Sequence, residues 1–244
     1  MPVSSAIQAV TFDVGGTLLT PSPSVGEIYA RIANRNGAPR IPADTLEERF
    51  QKAWRRVRPF QHHREDWERL VDEVFAGLVP QPPSQSFFDP LYREFGQPSA
   101  WRLFEDVLPT LESLAGQGLD LAIVSNWDDR LRPLLEDLRL DRYFNCIVIS
   151  SEVGFMKPSA VIFEETLRRL GTPASAVLHV GDALTEDFSG ATAAGLQALH
   201  LRRDAPSHDL QIQSLAEIPG WISAVGNARR KPKLPTKNRL PEAP

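Results

Sequence analysis

The chain has 244 residues, of which 42% are hydrophobic and 24% charged; this is an ordinary globular composition, long enough for an α/β domain with a large insertion. Its net charge of −4 gives no overall attraction to nucleic acid or to an anionic membrane. One cysteine, Cys146, excludes an internal disulfide, and no segment approaches the ~20 apolar residues of a membrane span. We therefore expect a cytoplasmic location and no membrane partner, while monomer and homodimer both stay open.

The first predicted element is the short apolar run at 9–12, which is rich in β-formers and ends in Asp13 and a glycine pair. Four similar runs follow at 119–124, 146–149, 176–180 and 197–201. Each is short enough to be a strand that is buried on both faces. Helical patterns separate them, including one that begins at Leu108 and ends at Gly116. This alternation predicts the α/β class, with a doubly wound parallel sheet.

Residues 21–100 interrupt this alternation, because they read as successive helices with no strand between them. We expect a capping box from Ser24 to Glu27 and a helix capped by Asp44. A further helix is predicted at 49–64, with a basic face that is solvated or, in part, turned toward an anionic substrate. The predicted organisation is a core formed by 1–20 and 101–226 around an inserted all-α cap domain at 21–100.

The C-terminal residues 227–244 are rich in basic side chains and proline and poor in apolar ones. This composition predicts a disordered tail. A basic tail can also contact RNA or an acidic partner, but without interleaved aromatic residues a nucleic-acid partner is not favoured.

Polar side chains follow the predicted strands at the edge where open α/β sheets bind ligands. Asp13 follows the first strand, Ser125 and Asn126 the second, and Lys157 the third; Asp182 follows the fourth, with Asp187 one turn later. Carboxylates can hold a hard cation, and a hydroxyl and a lysine can hold phosphate oxygens. Together these residue types predict phosphoryl-transfer chemistry.

Four segments in this order resemble the motifs of the haloacid dehalogenase-like (HAD) hydrolases, although each alone would be weak. They are DVGGTLLT at 13–20, SN at 125–126, KPSAVIF at 157–163 and GDALTEDFSGA at 181–191. With a helical insertion after the first motif, the chain resembles subfamily IA, and PSVGEIYARIA is most similar to a branch named for a rhythmically expressed gene product. The resemblance implies a Rossmann-like core and Mg²⁺ as cofactor.

The same resemblance implies roles for individual residues. Asp13 would be the nucleophile that forms an aspartyl-phosphate, assisted by Lys157. The phosphate of a small phosphorylated substrate would be held by a set of four residues: Ser125, Asn126, Lys157 and Gly16. The metal would be bound by Asp13, the carbonyl of Gly15 and Asp182, with Asp187 beside the metal or paired with Lys157.

Gly15 departs from the pattern, because HAD phosphatases have an aspartate there that protonates the leaving group. Loss of a general acid typically costs ~10² to 10⁴ in rate. Ordinary phosphomonoesters thus become doubtful substrates, whereas acyl and aryl phosphates need no proton on departure. Haloacid dehalogenases have a tyrosine at this position and need no metal, which the acidic fourth motif disfavours. Phosphonatases use a cap lysine, but Lys52 lies in a solvated helical context.

Two function classes therefore stay open. The first is a Mg²⁺-dependent hydrolase with reduced or unusual activity. The second is a non-catalytic module that keeps the metal and anion site for binding or sensing.

Overall fold

The computed structural model describes residues 6–57 and 60–229, so the predicted tail at 227–244 lies outside the described residues except for 227–229. The strands are β1 (Ala9–Phe12), β2 (Leu19–Pro21), β3 (Trp101–Leu103), β4 (Asp120–Ser125), β5 (Cys146–Ile149), β6 (Val177–Gly181), β7 (Gln197–Leu201) and β8 (Gln211–Ile212). Six of them form one parallel sheet in the order β5-β4-β1-β6-β7-β8. The chain thus starts at the centre, builds one half of the sheet and then the other, which confirms the predicted doubly wound α/β fold.

The central sheet is buried on both faces because its strands are apolar at successive positions. Val10 and Phe12 of β1 pack into a large cluster on one face, whereas Ala9 packs into a second cluster on the other. The helices that supply these clusters are α5 (Val107–Gly116), α6 (Leu131–Asp137), α7 (Ser150–Val153), α8 (Ala160–Leu170), α9 (Gly190–Ala193) and α10 (Ile218–Arg229). Two-sided burial fixes β1 at the centre of the sheet, and with it the position of Asp13.

The inserted segment has its own hydrophobic cluster, separate from those of the sheet. Its helices are α1 (Val25–Arg35), α2 (Ala43–Arg56), α3 (Arg64–Phe75) and α4 (Phe88–Glu94). Tyr29 of α1 is stacked on Phe75 of α3, with ring centroids 5.7 Å apart. Among the described residues, no helix is long and apolar enough to traverse a bilayer.

A second, two-stranded sheet lies at the two ends of this insertion and was not predicted. β2 and β3 pair antiparallel, with Leu19 opposite Leu103 and Pro21 opposite Trp101. Strands of three residues produce too short a pattern to be recognised in a sequence. The chain therefore enters and leaves the helical insertion through one small ladder.

Several local predictions in the insertion need correction. Ser24 does accept a hydrogen bond from the Glu27 N–H, but Asp44 lies inside the first turn of α2, whose N-cap is Pro42. The helix predicted at 49–64 ends at Arg56, and α3 begins at Arg64; the sequence has Pro59 between them, which disfavours a continuing helix. His62, in the same connection, has a φ of 63°.

The helix predicted from Leu108 to Gly116 is observed as α5 (Val107–Gly116). Leu108 itself is 42% exposed. The left-handed residue beyond the helix is Gly118, with a φ of 75°.

Candidate active site

The predicted site residues lie at the carboxyl ends of β1, β4 and β6, where the strand order reverses about β1. Asp13 directly follows β1, Ser125 is the last residue of β4, and Asp182 directly follows β6. Ligands of open α/β sheets bind in the crevice at this reversal point. The fold therefore brings together residues that are far apart in the sequence.

Lys157 is the centre of a buried charge cluster. Its Nζ lies 2.7 Å from Asp13 Oδ1 and 2.5 Å from Asp187 Oδ1, and the side chain is 2% exposed. Burial acts against the charged ammonium, but the carboxylates of Asp13 and Asp187 outweigh it and raise the pKa of Lys157. Lys157 therefore keeps its positive charge at neutral pH, beside Asp13.

The pKa of the Asp13 carboxyl group is subject to opposing effects of its neighbours. Burial and the nearby Asp187 raise the pKa of Asp13 above its usual value, and Lys157 offsets only part of this rise. Ser125 Oγ also donates a hydrogen bond to Asp13 Oδ1 at 3.0 Å. The ammonium and the hydroxyl are the contacts that favour the ionised carboxylate a nucleophile needs.

Asp187 is held by three groups at once. Lys157 Nζ and the Ala183 N–H donate to its two oxygens, and His179 Nε2 lies 3.1 Å from Oδ1. Burial opposes ionisation, but Lys157 and His179 hold the pKa of Asp187 well below its usual range. Asp187 is thus an ion-pair partner of Lys157, and its place beside a bound metal stays a prediction.

His179 was not predicted, although a polar residue inside the buried strand β6 is a detectable signal. Its ring is fully buried and also lies within hydrogen-bond distance of Thr11, with 2.8 Å between Nδ1 and Oγ1. His200, in the neighbouring strand, approaches the Asp182 carbonyl at 3.1 Å in the same way. Both histidines brace acidic residues of the site from within the sheet.

Asn126 and Gly16 hold the site together through the backbone. The Asn126 side chain accepts from the Lys157 N–H at 2.7 Å and donates to the Lys157 carbonyl at 3.0 Å, so its amide fixes the segment that carries Lys157. The Gly16 N–H donates to the Leu19 carbonyl at 2.8 Å. A Cβ at Gly16, where φ is 77°, would overlap the Asp182 carboxylate, so only glycine fits there.

Three carboxylates form a group that suits a divalent cation. One oxygen from each of Asp13, Asp182 and Asp187 lies within 4.8 Å of the others. Asp182 is exposed at the surface of the site, but partial desolvation of its carboxylate and the charges of Asp13 and Asp187 raise its pKa to about 7. Hard oxygen donors under mutual repulsion match the preference of Mg²⁺, which would relieve that repulsion. The residues therefore fit the implied metal.

Trp127 occupies the space beside Gly15. A Cβ built at Gly15 would lie 3.3 Å from Cζ3 of the indole. The Trp127 ring in turn packs against Trp101, with centroids 5.0 Å apart. Absence of an acid at position 15 is thus accompanied by an aromatic ring in the adjoining space, a relationship that the sequence does not reveal.

A cavity of about 640 Å³ extends from these residues to the helical insertion. Asp13, Lys157 and Asp182 line it on the side of the sheet. Tyr92 and Trp67 line it on the side of the helices, and both are joined to the core: the Trp67 indole donates to Asp128 at 3.0 Å, and the Arg130 guanidinium lies 3.5 Å from the Tyr92 ring centroid.

A family model for haloacid dehalogenase-like hydrolases matches residues 7–195, which is most of the chain. The chain belongs to this family. The HAD-like chain is 33% identical over 234 residues to haloacid dehalogenase-like hydrolase domain-containing protein 3 of Danio rerio, covering 88% of this chain and 96% of that protein. These matches confirm the family that the four motifs predict.

Two further relatives have different names. A glyceraldehyde 3-phosphate phosphatase of Methanopyrus kandleri is 30% identical over 88% of this chain and 92% of its own length. The rhythmically expressed gene 2 protein of Drosophila melanogaster is 26% identical over 78% of this chain and 81% of its own length. Among solved structures, the HAD phosphatase from Thermococcus onnurineus is 27% identical with a TM-score of 0.65, covering 88% of this chain and 98% of that one.

The HAD-like fold therefore brings all the predicted site residues to one edge of the sheet. Ser125, Asp187 and Lys157 contact one another or Asp13 directly, whereas Asn126 contacts the Lys157 backbone. The catalytic, phosphate-binding and metal-binding roles of these residues stay predictions. Residues such as Trp127 were missed because their importance depends on distant parts of the chain.

Proposed function

We propose that this HAD-like hydrolase is a Mg²⁺-dependent phosphatase that acts on a small phosphorylated metabolite through an aspartyl-phosphate at Asp13. The observation that supports this most strongly is the buried Lys157, whose ammonium lies 2.7 Å from Asp13 and 2.5 Å from Asp187. A fixed positive charge beside a carboxylate that lines a cavity stabilises the charge of a transferring phosphoryl group. The phosphatases among its relatives agree with this chemistry.

In the proposed mechanism, the Asp13 carboxylate attacks phosphorus. Lys157 neutralises the phosphoryl oxygens, while Asp187 and Asn126 hold Lys157 in place. Asp13 and Asp182, with the Gly15 carbonyl, would hold Mg²⁺, which supplies charge neutralisation when bound. At position 15 there is no side chain to protonate a leaving group.

The experiment is hydrolysis of acetyl phosphate and p-nitrophenyl phosphate by the purified protein, with and without Mg²⁺. We expect Mg²⁺-dependent turnover in the wild type and a fall of at least ~10³ in Asp13→Asn, because an amide is not a nucleophile. Asp137→Asn, an exposed carboxylate change on α6, is the matched control and should leave the rate unchanged. Equal rates in wild type and Asp13→Asn would overturn the proposal.

A second candidate is a non-catalytic metal- and anion-binding module, which is favoured by the Trp127 ring beside Gly15. In that case the wild type would bind Mg²⁺ and inorganic phosphate but hydrolyse neither acetyl phosphate nor p-nitrophenyl phosphate. Asp13→Asn would then weaken binding without changing a rate. Measurement of binding and turnover on the same preparations distinguishes the two functions.

A further inference from the structure

Aromatic rings form one part of the lining of the cavity above Asp13. They come from the insertion as well as from the core. Those used below are Phe50, Trp54, Phe60, Trp67, Tyr92 and Trp127. Rings at this density favour a flat aromatic ligand, because stacked and edge-on ring pairs attract one another beyond simple burial.

Part of this lining is a column of nearly parallel rings. Phe50 stacks on Trp54 with centroids 6.0 Å apart and an interplanar angle of 18°. Trp54 stacks on Trp67 at 5.8 Å and 14°. Phe60 closes the column edge-on against Trp67, at 4.8 Å. Because these side chains already pack against one another, they lose little conformational entropy when a ligand ring binds beside them.

Arg130 and Lys157 line the cavity. Lys157 would bind the phosphate, and Arg130 is already hydrogen-bonded to other groups of the protein. Arg130 donates to both carboxylate oxygens of Asp128 at 2.8 and 2.6 Å, and to the Tyr92 carbonyl at 2.8 Å. From the predicted basic helix, the described residues that line the cavity are uncharged: Phe50, Gln51, Trp54, Phe60 and His62, with burial lowering the pKa of His62 to about 4. Two carboxylates, Glu47 and Glu186, also line the cavity. They and the paired Arg130 disfavour a second anionic group on the ligand, so the cavity beyond Lys157 suits an uncharged group better.

The leaving group that needs no acid at position 15 is also an aromatic one. An alkoxide needs a proton as it departs, but an aryloxide is far more stable and departs as the anion. Trp127 lies beside Gly15, where a Cβ would be 3.3 Å from its indole, so an aromatic surface adjoins the position of the missing acid. The missing acid and the aromatic lining thus point independently to one kind of substrate.

We propose that the substrate of this site is an aryl phosphate, whose aromatic ring binds between Trp127 and the column of Phe50, Trp54 and Trp67. This inference rests on the phosphatase function proposed above. Asp13 attacks phosphorus, the bond from phosphorus to the aryl oxygen breaks, and the aryloxide departs with the bonding electron pair. Water then attacks the aspartyl-phosphate, Asp13 departs as carboxylate, and the products are aryloxide and dihydrogen phosphate.

The test compares two phosphonates that cannot be hydrolysed, phenylphosphonate and cyclohexylphosphonate, by calorimetry with Mg²⁺ present. Both have the same anionic group and similar size, so the comparison isolates the aromatic ring. We expect phenylphosphonate to bind the wild type about fivefold more tightly, a difference typical of ring pairing. Trp127→Leu should abolish the difference, and Trp127→Phe should retain most of it.

A second pair of variants tests the rings of the insertion. Trp54→Leu removes the central ring of the column and should reduce the preference for phenylphosphonate. Lys52→Leu, an exposed change on the same helix, should not. If Trp54→Leu does not fold, Phe50→Leu tests the same column from its end.

Kinetics separate failure of this inference from failure of the proposed function. If both phosphonates bind equally while acetyl phosphate is hydrolysed, the aromatic substrate is wrong and the phosphatase function stands. If the wild type hydrolyses neither acetyl phosphate nor phenyl phosphate, the proposed phosphatase function is wrong and the inference fails with it. Preference for phenylphosphonate together with hydrolysis of phenyl phosphate supports both.

Discussion

Trp127 changes what can be expected from restoring an acid at position 15. The substitution Gly15→Asp adds a Cβ 3.3 Å from the indole, a contact that requires the ring to shift. Overpacking of this kind typically destabilises a protein by about 1 to 3 kcal/mol. The new carboxyl group would also have to share the space beside position 15 with the Trp127 indole.

We therefore predict that Gly15→Asp alone gains little activity toward an alkyl phosphate such as glycerol phosphate. The double variant Gly15→Asp with Trp127→Leu should gain about 10²-fold or more, because it has both a general acid and the room to place it. The measurement is kcat/KM for glycerol phosphate in the wild type, both single variants and the double variant. Strictly additive effects of the two substitutions would contradict the predicted coupling.

Individual residues also show what the sequence can and cannot predict about the site. Asp13, Asp182 and Lys157 were predicted because parallel strands present their carboxyl ends at one edge, whatever the details of packing. The indole of Trp127 was not, since its position beside Gly15 depends on how a loop after a different strand folds. Asn126 was predicted to hold phosphate, but its amide bonds to the Lys157 backbone show a positioning role that spacing alone does not indicate.

At the scale of elements, the segment between α2 and α3 contains a titratable group in an apolar place. His62 packs edge-on against Phe60 and Trp67, at 5.0 and 5.7 Å. Burial lowers its pKa to about 4, and Lys157 and Arg130 add to that effect, whereas Asp128 and Asp66 oppose it. The folded chain thus favours the neutral imidazole.

This lowered pKa predicts a loss of stability in acid. Below about pH 6.5 the unfolded chain binds a proton at His62 that the folded chain does not, so the free energy of unfolding falls as pH decreases toward 4. Between pH 7.5 and 5.0 the wild type should lose about 2 kcal/mol more than His62→Asn, which does not titrate and tolerates a positive φ. Urea unfolding at both pH values measures this; parallel losses in the two proteins would contradict it.

The elements themselves were predicted unequally. The five long strands and most core helices could be predicted, because their apolar runs are set by burial on both faces. The break between α2 and α3 was missed, although Pro59 is a signal for it in the sequence, because proline and the residue before it disfavour a continuing helix. The packing of Phe60 and His62 against Trp54 and Trp67 depends on the tertiary structure and could not be read from the sequence.

At the scale of the whole molecule, the proposed metal site joins the two halves of the central sheet. Asp13 follows β1, and Asp182 follows β6. A cation bound by both belongs to the folded state alone, since the unfolded chain holds these residues far apart. Metal binding is therefore coupled to global stability.

We predict that Mg²⁺ raises the melting temperature of the wild type. At a concentration about 100 times Kd, binding adds about 2.7 kcal/mol, which corresponds to roughly 5 to 10 °C for a chain of this size. Asp182→Asn should lose most of this increase, while the exposed Asp137→Asn keeps it. Differential scanning calorimetry with and without Mg²⁺ measures the effect, and an equal increase in both variants would exclude Asp182 as a ligand.

The pairing of β2 with β3 affects how the inserted segment can change in evolution. Because Pro21 lies directly opposite Trp101, the polypeptide leaves the sheet domain and returns to it at neighbouring points. A segment inserted at such a site can lengthen, shorten or be exchanged for another without altering the path of the remaining chain. The inserted helices are thus free to diversify in evolution while the sheet that carries Asp13 and Asp182 stays constant.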